Sequence, residues 1–368
     1  MLAVVRTFTA LDRLHDVFPV LADDLRLEIR FAVAAGSRFA GELADHLRRS
    51  HMRVVDWSAI SAGAFDLAIS PSSNGALHEL PMPVMTLPHG AGYHKKRATD
   101  AGFTDDVSGL SREQLVHDDR VVPSVIGLSH HKQLTELAAS CPEALERARV
   151  IGDPCFDHLR ASLPMREHYR TALGTGERKL VVVCSTWGTR SAFGRQGELA
   201  GRLAAVLPPE EYQVALVLHP NIAAHHSGFM VDLWTRGARA QGVVRVPPDR
   251  GWRATLVAAD VVISDHGSLA LYAAALGIPL LLAEFGESEL VPGTPITALG
   301  DLAPRLSRDG DLRAQIDNAR PLPSQEVPDA FDFVGRSPGK LREVIYDALD
   351  LALPPWPVHP EPADVFTP

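Results

Sequence analysis

The stretch TLPHGAGYHKKR (86–97) places groups able to exchange protons and bind anions directly after an apolar run. His89 and Gly90 follow the run, and Lys95 and Lys96 come soon after. A histidine titrates near neutral pH and can accept a proton from a hydroxyl group. Lysines can steer an anionic substrate or stabilise a leaving phosphate. The alternative is a solvated basic turn beside a histidine that packs at a strand end.

A second stretch, ISDHGSLALYAAALG (263–277), has the pattern of a strand, a turn and a helix. Gly267 and Ser268 open the predicted helix, after Asp265 and His266. The free backbone N–H groups of a helix start, its dipole and a serine hydroxyl suit a phosphate, and glycine lets a ligand approach the backbone. The alternative is that Asp265 or Ser268 only caps the helix.

Two other strand ends carry polar residues. LVLHPN (216–221) ends in His219, and CSTWGTRSAFG (184–194) offers Thr186 and Arg190 to a nucleotide or its phosphates. A structural histidine and an ordinary loop are the alternatives. Neither the histidines after residue 221 nor the three dispersed cysteines have the spacing of metal ligands, so no metal site is predicted.

Short apolar runs alternate with amphipathic stretches in both halves of the chain, which predicts βαβ units and a mostly parallel sheet in each. The predicted strands are 2–8, 25–34, 52–57, 65–70, 83–88, 122–129, 179–186, 212–220, 242–247, 260–265 and 278–284. The predicted helices are 11–21, 38–49, 132–139, 196–207, 230–241, 252–259, 268–277 and 337–353.

We therefore predict an α/β protein with two Rossmann-like, doubly wound domains. The N-terminal domain is expected over 1–150, the C-terminal domain over 151–350, and a loosely ordered Pro-rich tail over 354–368. In such sheets ligands bind at the carboxyl ends of the strands, so the ligand cleft is expected between the two domains.

The totals limit the class of protein. The length of 368 residues suits two domains, and a net charge of −9 argues against a nucleic-acid binder without excluding a local cationic pocket. No apolar run approaches the ~18 residues of a membrane span, and no signal peptide is recognisable, so a cytoplasmic protein without an integral membrane segment is expected. Apolar residues of the tail, Trp356, Val358 and Phe366, could dock on a second copy in a homodimer.

The order of these motifs resembles the CDP-glycerol glycerophosphotransferase family. It resembles more loosely other nucleotide-sugar transferases of the GT-B fold and the UDP-N-acetylglucosamine 2-epimerases. The matching segments are PHGAGYHKK (88–96), GDPCFD (152–157), CSTW (184–187), VLHPN (217–221) and ISDHGSLALYAAALGIP (263–279).

The resemblance implies a GT-B-like fold and a donor activated by a nucleoside diphosphate, CDP- or UDP-linked, held mainly by the second domain. It implies that His89 is the base for the acceptor hydroxyl and that His219 binds or stabilises phosphate. The predicted donor site consists of Thr186, Arg190, Asp265, His266, Gly267 and Ser268, and the predicted acceptor or anion site of Gly90, Lys95 and Lys96. Either lysine could match the lysine of the family.

The chain departs from the family where His266-Gly267-Ser268 stands in place of Tyr-Ser-Ser. The leading hypothesis is a soluble, metal-independent transferase that needs no cofactor and moves a glycerophosphate, another phospho-alcohol or a glycosyl group to a hydroxyl acceptor. An epimerase or hydrolase of nucleotide sugars is one alternative, with Asp100, Asp105 and Asp106 as the nearest carboxylates. A non-catalytic nucleotide-binding protein is the other.

Overall fold

The computed structural model describes residues 1–99 and 102–368, without the side chain of Asp105, and it divides into two compact units. Unit 1 comprises Met1–Asp157 and Ala330–Pro360, and unit 2 comprises His158–Asp329 and Glu361–Pro368. The boundary therefore falls seven residues after the predicted one, and the last helix belongs to the first unit.

Unit 1 is built on a six-stranded parallel sheet in the order β10-β9-β4-β3-β1-β2. The direction of winding reverses between β1 and β3, which makes that position the switch point of a doubly wound sheet. Strands β1, β3 and β4 are buried along their whole length, as apolar strands covered on both faces must be. The strands of this sheet are β1 (Leu2–Val5), β2 (Arg30–Val33), β3 (Ala68–Ser70), β4 (Val84–Thr86), β9 (Val125–Leu128) and β10 (Ala148–Val150).

The rest of unit 1 consists of helices and two antiparallel strand pairs that sequence patterns did not predict. The pairs are β5 (Lys96–Thr99) with β6 (Gly102–Val107), and β7 (Val116–His117) with β8 (Arg120–Val121). The helices are α1 (Phe8–Val17), α2 (Ala40–Arg49), α3 (Arg112–Leu115), α4 (Gln133–Ser140) and α15 (Ser337–Ala348), with α5 (Pro154–Ser162) crossing the unit boundary.

Asp157 anchors the returning C-terminal segment in unit 1. This carboxylate is 1% exposed and accepts hydrogen bonds from Gly335 N (2.6 Å), Ser337 N (2.9 Å) and Ser337 Oγ (2.6 Å) at the start of α15. Leu341 and Ile345 of α15 then join the apolar core of the unit. Helical periodicity predicts that this segment is amphipathic but not which sheet it covers, so its position in the sequence alone placed it in the second predicted domain.

Unit 2 has a five-stranded parallel sheet in the order β13-β12-β11-β14-β15. This is the Rossmann order, and its switch point lies between β11 and β14. The strands are β11 (Lys179–Ser185), β12 (Tyr212–Leu218), β13 (Val244–Arg245), β14 (Val261–Ser264) and β15 (Leu280–Leu282). The helices are α6 (Arg166–Ala172), α7 (Ala192–Arg195), α8 (Leu199–Val206), α9 (Pro220–His226), α10 (Gly228–Ala240), α11 (Trp252–Ala258), α12 (Ser268–Ala275), α13 (Pro295–Leu302) and α14 (Leu312–Asn318).

Two local predictions differ from the structure. The segment 52–57 is not a strand, because only Val54 forms a bridge, to Phe31, at the exposed edge of the sheet. The Pro-rich tail has no regular structure but is held in place at its end. Ala363 N donates to Ser162 Oγ (2.8 Å), and Phe366, only 6% exposed, packs so closely on Gly251 that a Cβ there would lie 2.5 Å from its ring.

Consequently Phe366 is not available to a second copy, whereas Trp356 remains 40% exposed. The cysteines Cys141, Cys155 and Cys184 are buried, and none of the three forms a disulfide. Among residues 1–99 and 102–368, no helix has the length and apolar character that crossing a bilayer requires.

Replacing Asp157 with Ala should lower the stability of the chain by about 2 to 4 kcal/mol, because two buried donors of Ser337 and the partly buried N–H of Gly335 lose their acceptor together. Urea unfolding followed by far-UV circular dichroism measures the change. The matched control is Asp347→Ala on the exposed face of α15, which should shift the midpoint little. An equal effect of the two substitutions would contradict the anchoring role of Asp157.

Candidate active site

Asp265 organises the switch point of unit 2. The side chain is fully buried (0% exposed) at the carboxyl end of β14. Its oxygens accept hydrogen bonds from Thr186 N (2.9 Å), Ala192 N (2.8 Å), Ser185 Oγ (3.2 Å) and Gly267 N (2.9 Å). This one carboxylate therefore joins the loop after β11 to the start of α12, on the two sides of the switch point.

Gly267 and Ser268 form the start of α12 and are half-buried, so this edge of the sheet remains accessible. A Cβ on Gly267 would lie 3.1 Å from Asp265 Oδ1 and 3.2 Å from Thr186 Cβ, so a larger residue would crowd the turn. The first N–H groups of a helix have no partner within the helix, and they carry the positive end of its dipole. The arrangement can therefore bind a phosphate.

His266 lies beneath the surface, 2% exposed, and supports the segment that follows β15. Its Nδ1 accepts a hydrogen bond from Gly286 N (3.0 Å), and its Nε2 lies 3.2 Å from Glu289 Oε2. Because Nδ1 accepts, the neutral ring carries its hydrogen on Nε2 and donates it to Glu289. Asp265 and His266 were both predicted to contact the nucleotide-activated substrate directly. In the structure both side chains are buried and hold loops in place.

Arg190 lines a cavity of about 340 Å³ at the carboxyl ends of β11 and β15. The other lining residues are Arg195, Glu284, Phe285, Gly286, Glu287, Ser288 and Arg308. Arg308 forms an ion pair with Glu284, whose Oε1 also accepts a hydrogen bond from Gln196 Nε2 (3.0 Å). None of these other lining residues was predicted as a site residue, although the polar run that directly follows the strand predicted over 278–284 marked a strand end.

His219 occupies the carboxyl end of β12, next to β11. Its Nδ1 accepts a hydrogen bond from Asn221 N (3.1 Å) and so caps α9. The backbone N–H of His219 donates to Ser185 O (3.0 Å). The neutral ring therefore carries its hydrogen on Nε2, which suits it to donate to an anion. Trp187, which was not predicted as a site residue, is 43% exposed. The centroid of its ring lies 6.5 Å from the centroid of the His219 imidazole.

In unit 1, Arg13 holds the loop that contains His89. Arg13 lies on α1 and is only 5% exposed. Its Nη1 donates to Asp153 Oδ1 (2.6 Å) and its Nη2 donates to the carbonyl of Gly90. Asp153 Oδ1 also accepts from Cys155 N (2.9 Å) at the start of α5. Three segments that are distant in the sequence thus meet at one buried guanidinium, which the sequence analysis did not identify.

His89 follows β4 and is solvent-exposed, with no side-chain hydrogen bond to the rest of the described chain. Desolvation by the surrounding protein and the charges of Arg13 and Lys95 lower the pKa of His89 to about 4. Because the side chain is exposed, the two cations account for the direction of this shift, since they repel a proton through water as well. The ring is therefore neutral at pH 7 and able to accept a proton. Lys95, rather than Lys96, is the lysine whose charge acts on it.

Gly92 and His94, which belong to the same loop as His89, have structural roles. Gly92 has φ +105°, and a Cβ there would lie 2.5 Å from Gln133 Nε2 and 2.6 Å from Ser129 Oγ. His94 is buried, and its Nε2 lies 2.5 Å from the carbonyl oxygen of Ala91. Burial lowers the pKa of His94 to about 4, so this ring stays neutral and packed within the loop.

Of the carboxylates considered for an epimerase, Asp106 is engaged within the β5–β6 pair. Its Oδ2 accepts a hydrogen bond from Thr104 Oγ1 (3.2 Å) and lies 3.6 Å from Arg97 Nη2. Asp100 and the side chain of Asp105 lie outside the described residues.

Solved structures of three proteins are similar over 95% of this chain. The wall teichoic acid polymerase TagF, in a crystal soaked with CDPG, has a TM-score of 0.57 at 10% identity over 88% of its chain. Alr3699/HepE of Anabaena, in complex with UDP-glucose, has a TM-score of 0.50 at 13% identity over 94% of its chain. The UDP-GlcNAc 2-epimerase of Neisseria meningitidis, bound to UDP-GlcNAc, has a TM-score of 0.49 at 12% identity over 98% of its chain.

No family model and no curated protein matches the sequence. The likeness to TagF and HepE, together with the two doubly wound sheets, confirms the predicted fold class: the chain has a GT-B-type fold with two Rossmann-like α/β domains.

Proposed function

We propose that this protein is a transferase that moves a glycerophosphate, another phospho-alcohol or a glycosyl group from a nucleotide-diphosphate donor to an acceptor hydroxyl. The observation that carries the proposal is the start of α12, held by Asp265 at the switch point of unit 2. TagF and HepE, which share the fold, were crystallised with CDPG and with UDP-glucose. A CDP- or UDP-linked donor is therefore the first choice.

In this proposal the donor diphosphate binds at the half-buried start of α12. The N–H of Gly267 already donates to Asp265, so the phosphate contacts are assigned to the first N–H groups of the helix itself. The N–H groups of a helix start are fixed before the ligand arrives, so they stabilise phosphate charge with little reorganisation. His219 donates its Nε2 hydrogen to the same diphosphate. Asp265 and His266 act indirectly, because they hold the loops on which these donors stand.

His89 accepts the proton of the acceptor hydroxyl as the new bond forms. In phospho-alcohol transfer, the acceptor oxygen bonds to the phosphorus that carries the alcohol, the bond between the two phosphates breaks, and a nucleoside monophosphate leaves. In glycosyl transfer, the acceptor oxygen bonds to the anomeric carbon and a nucleoside diphosphate leaves. The positive charge of Lys95 favours the approach of an anionic reactant to this loop.

The first experiment measures thermal unfolding of the full chain with CDP, UDP, GDP and TDP, each at a saturating concentration. A ligand that binds only the folded chain raises the melting temperature, so the largest rise identifies the preferred nucleobase. A stabilising nucleotide supports the donor site, and its activated derivatives are then incubated with hydroxyl acceptors. Nucleoside monophosphate release indicates phospho-alcohol transfer, and diphosphate release indicates glycosyl transfer. No stabilisation by any of the four nucleotides would contradict the proposal.

Ser268→Pro should weaken binding of the preferred nucleotide by about 10-fold or more, because it removes a backbone donor to a charged phosphate. Proline is tolerated at the first position of a helix, and the extended backbone of Gly267 (φ −82°, ψ 162°) is compatible with a following proline. The matched control, Ser268→Ala, removes the hydroxyl but keeps the N–H group and should have a smaller effect. Equal affinities of the two variants, measured by calorimetry, would place the phosphate elsewhere.

His89→Ala should reduce kcat by about 10²- to 10⁴-fold, the range for loss of a general base, while nucleotide affinity stays near that of the wild type. The control is His78→Ala, an exposed histidine of the same unit. Because the pKa of His89 is lowered by the neighbouring cations, wild-type turnover should hold from pH 8 to below the ordinary histidine pKa of about 6.5. It should then fall as the ring becomes protonated and can no longer accept a proton. Normal turnover in His89→Ala would exclude the role.

A further inference from the structure

We propose that His130, His131 and Asp332 of unit 1 form a binding site for a divalent transition metal such as Zn²⁺. Sequence spacing did not predict this site, because Asp332 lies 201 positions after His131. The two histidines follow β9, and Asp332 stands where the chain re-enters unit 1 after the excursion through unit 2.

The three side chains already bring one ligand atom each to within 4.8 Å of the others, the one such group among the described residues. His131 Nδ1 lies 3.2 Å and His130 Nε2 lies 3.8 Å from the same oxygen, Asp332 Oδ1. Tetrahedral Zn²⁺ with ligand distances near 2.05 Å requires ligand atoms about 3.3 Å apart. The two separations at Oδ1 lie on either side of this value, and the three ligand atoms all lie within 4.8 Å of one another.

The chemical type of the ligand atoms determines which class of metal the site favours. Two imidazole nitrogens and one carboxylate oxygen suit borderline ions such as Zn²⁺ and leave a fourth position for water. Mg²⁺ and Ca²⁺ prefer sites made entirely of oxygen ligands. The carboxylate also offsets one of the two positive charges of the ion.

Metal binding changes the position of the hydrogen on both rings. Without metal, His130 Nδ1 accepts a hydrogen bond from Lys132 N at 3.2 Å, so the neutral ring carries its hydrogen on Nε2. Coordination through Nε2 moves this hydrogen to Nδ1 and gives up the long contact with Lys132. Without metal, His131 Nδ1 donates to the carboxylate of Asp332 (3.0 Å to Oδ2), so coordination through Nδ1 moves its hydrogen to Nε2. Asp332 needs no such change, and the backbone N–H of His131 already donates to its Oδ2 (2.7 Å).

The position of the site suggests what the ion would do. Asp332 N donates to Ser129 O (2.9 Å), and the Phe331 ring stacks on Phe156 with centroids 4.5 Å apart, so the returning chain is already docked here. A metal would fasten residues far apart in the sequence and so strengthen the attachment of the segment that leads to α15. Ser129 also lies against Gly92, so the same ion would stiffen the support of the loop that carries His89.

The test uses the full chain, freed of metal with a chelator and then titrated with Zn²⁺ alone in a calorimeter, with thermal unfolding measured in parallel. We expect one tight site per chain and a rise in melting temperature, and we expect no competition by Mg²⁺. His131→Ala and Asp332→Asn should each weaken Zn²⁺ binding by about 10-fold or more, since even residues that only orient a metal ligand have effects of that size.

His225→Ala is the matched control, because His225 and His226 are also adjacent, with ring centroids 4.6 Å apart, but belong to no metal-binding group in the described chain. This variant should bind Zn²⁺ as the wild type does. The His131 side chain is 60% exposed, so its replacement should leave the metal-free chain folded, which the melting temperature without zinc verifies. The proposal is overturned if the wild type binds no Zn²⁺ tightly, or if both ligand variants bind it with unchanged affinity.

Discussion

The buried carboxylate of Asp265 fixes the candidate donor site. Removing an ionised carboxylate from water costs several kcal/mol unless hydrogen bonds replace the lost hydration. Here four donors from the loop after β11 and the start of α12 do so. Each donor is held in turn by the carboxylate, so the two loops cannot move independently. The shape of the switch point in unit 2 therefore depends on one side chain that no ligand can reach.

This constraint also affects how an anion could be attracted. The start of a helix carries about half a positive charge, whereas Asp265 carries a full negative charge directly beneath it. The helix dipole alone does not outweigh the carboxylate. The N–H groups then supply geometry, and arginines at the same edge of the sheet must supply much of the attraction. Arg190 and Arg195, which line the neighbouring cavity, are the residues placed to do so.

The sequence predicted the parts of the fold and site that local patterns control. Such patterns mark the buried strands β11, β12 and β14 and the helix start at Ser268. Apolar runs indicate buried strands, and glycines indicate turns. Long-range pairs leave no local signal. Arg13 meets Asp153 across 140 positions, and Asp157 meets Ser337 across 180. A charged residue in a helical segment looks the same whether it faces water or a buried partner, so these contacts required the fold.

An acidic chain can present a neutral histidine among cations because only nearby charges act on the ring. The net charge of −9 is a property of the whole surface, and salt screens it over about 10 Å. Within that distance, His89 responds to Arg13 and Lys95. Lys95 stands on the same loop as His89, and its charge acts on the ring together with that of Arg13. A base of lowered pKa is a weaker base. It takes a proton more readily when a nearby cation makes the substrate hydroxyl more acidic. The proposed roles of His89 and Lys95 therefore depend on each other, although neither residue alone distinguishes a catalytic loop from a basic turn.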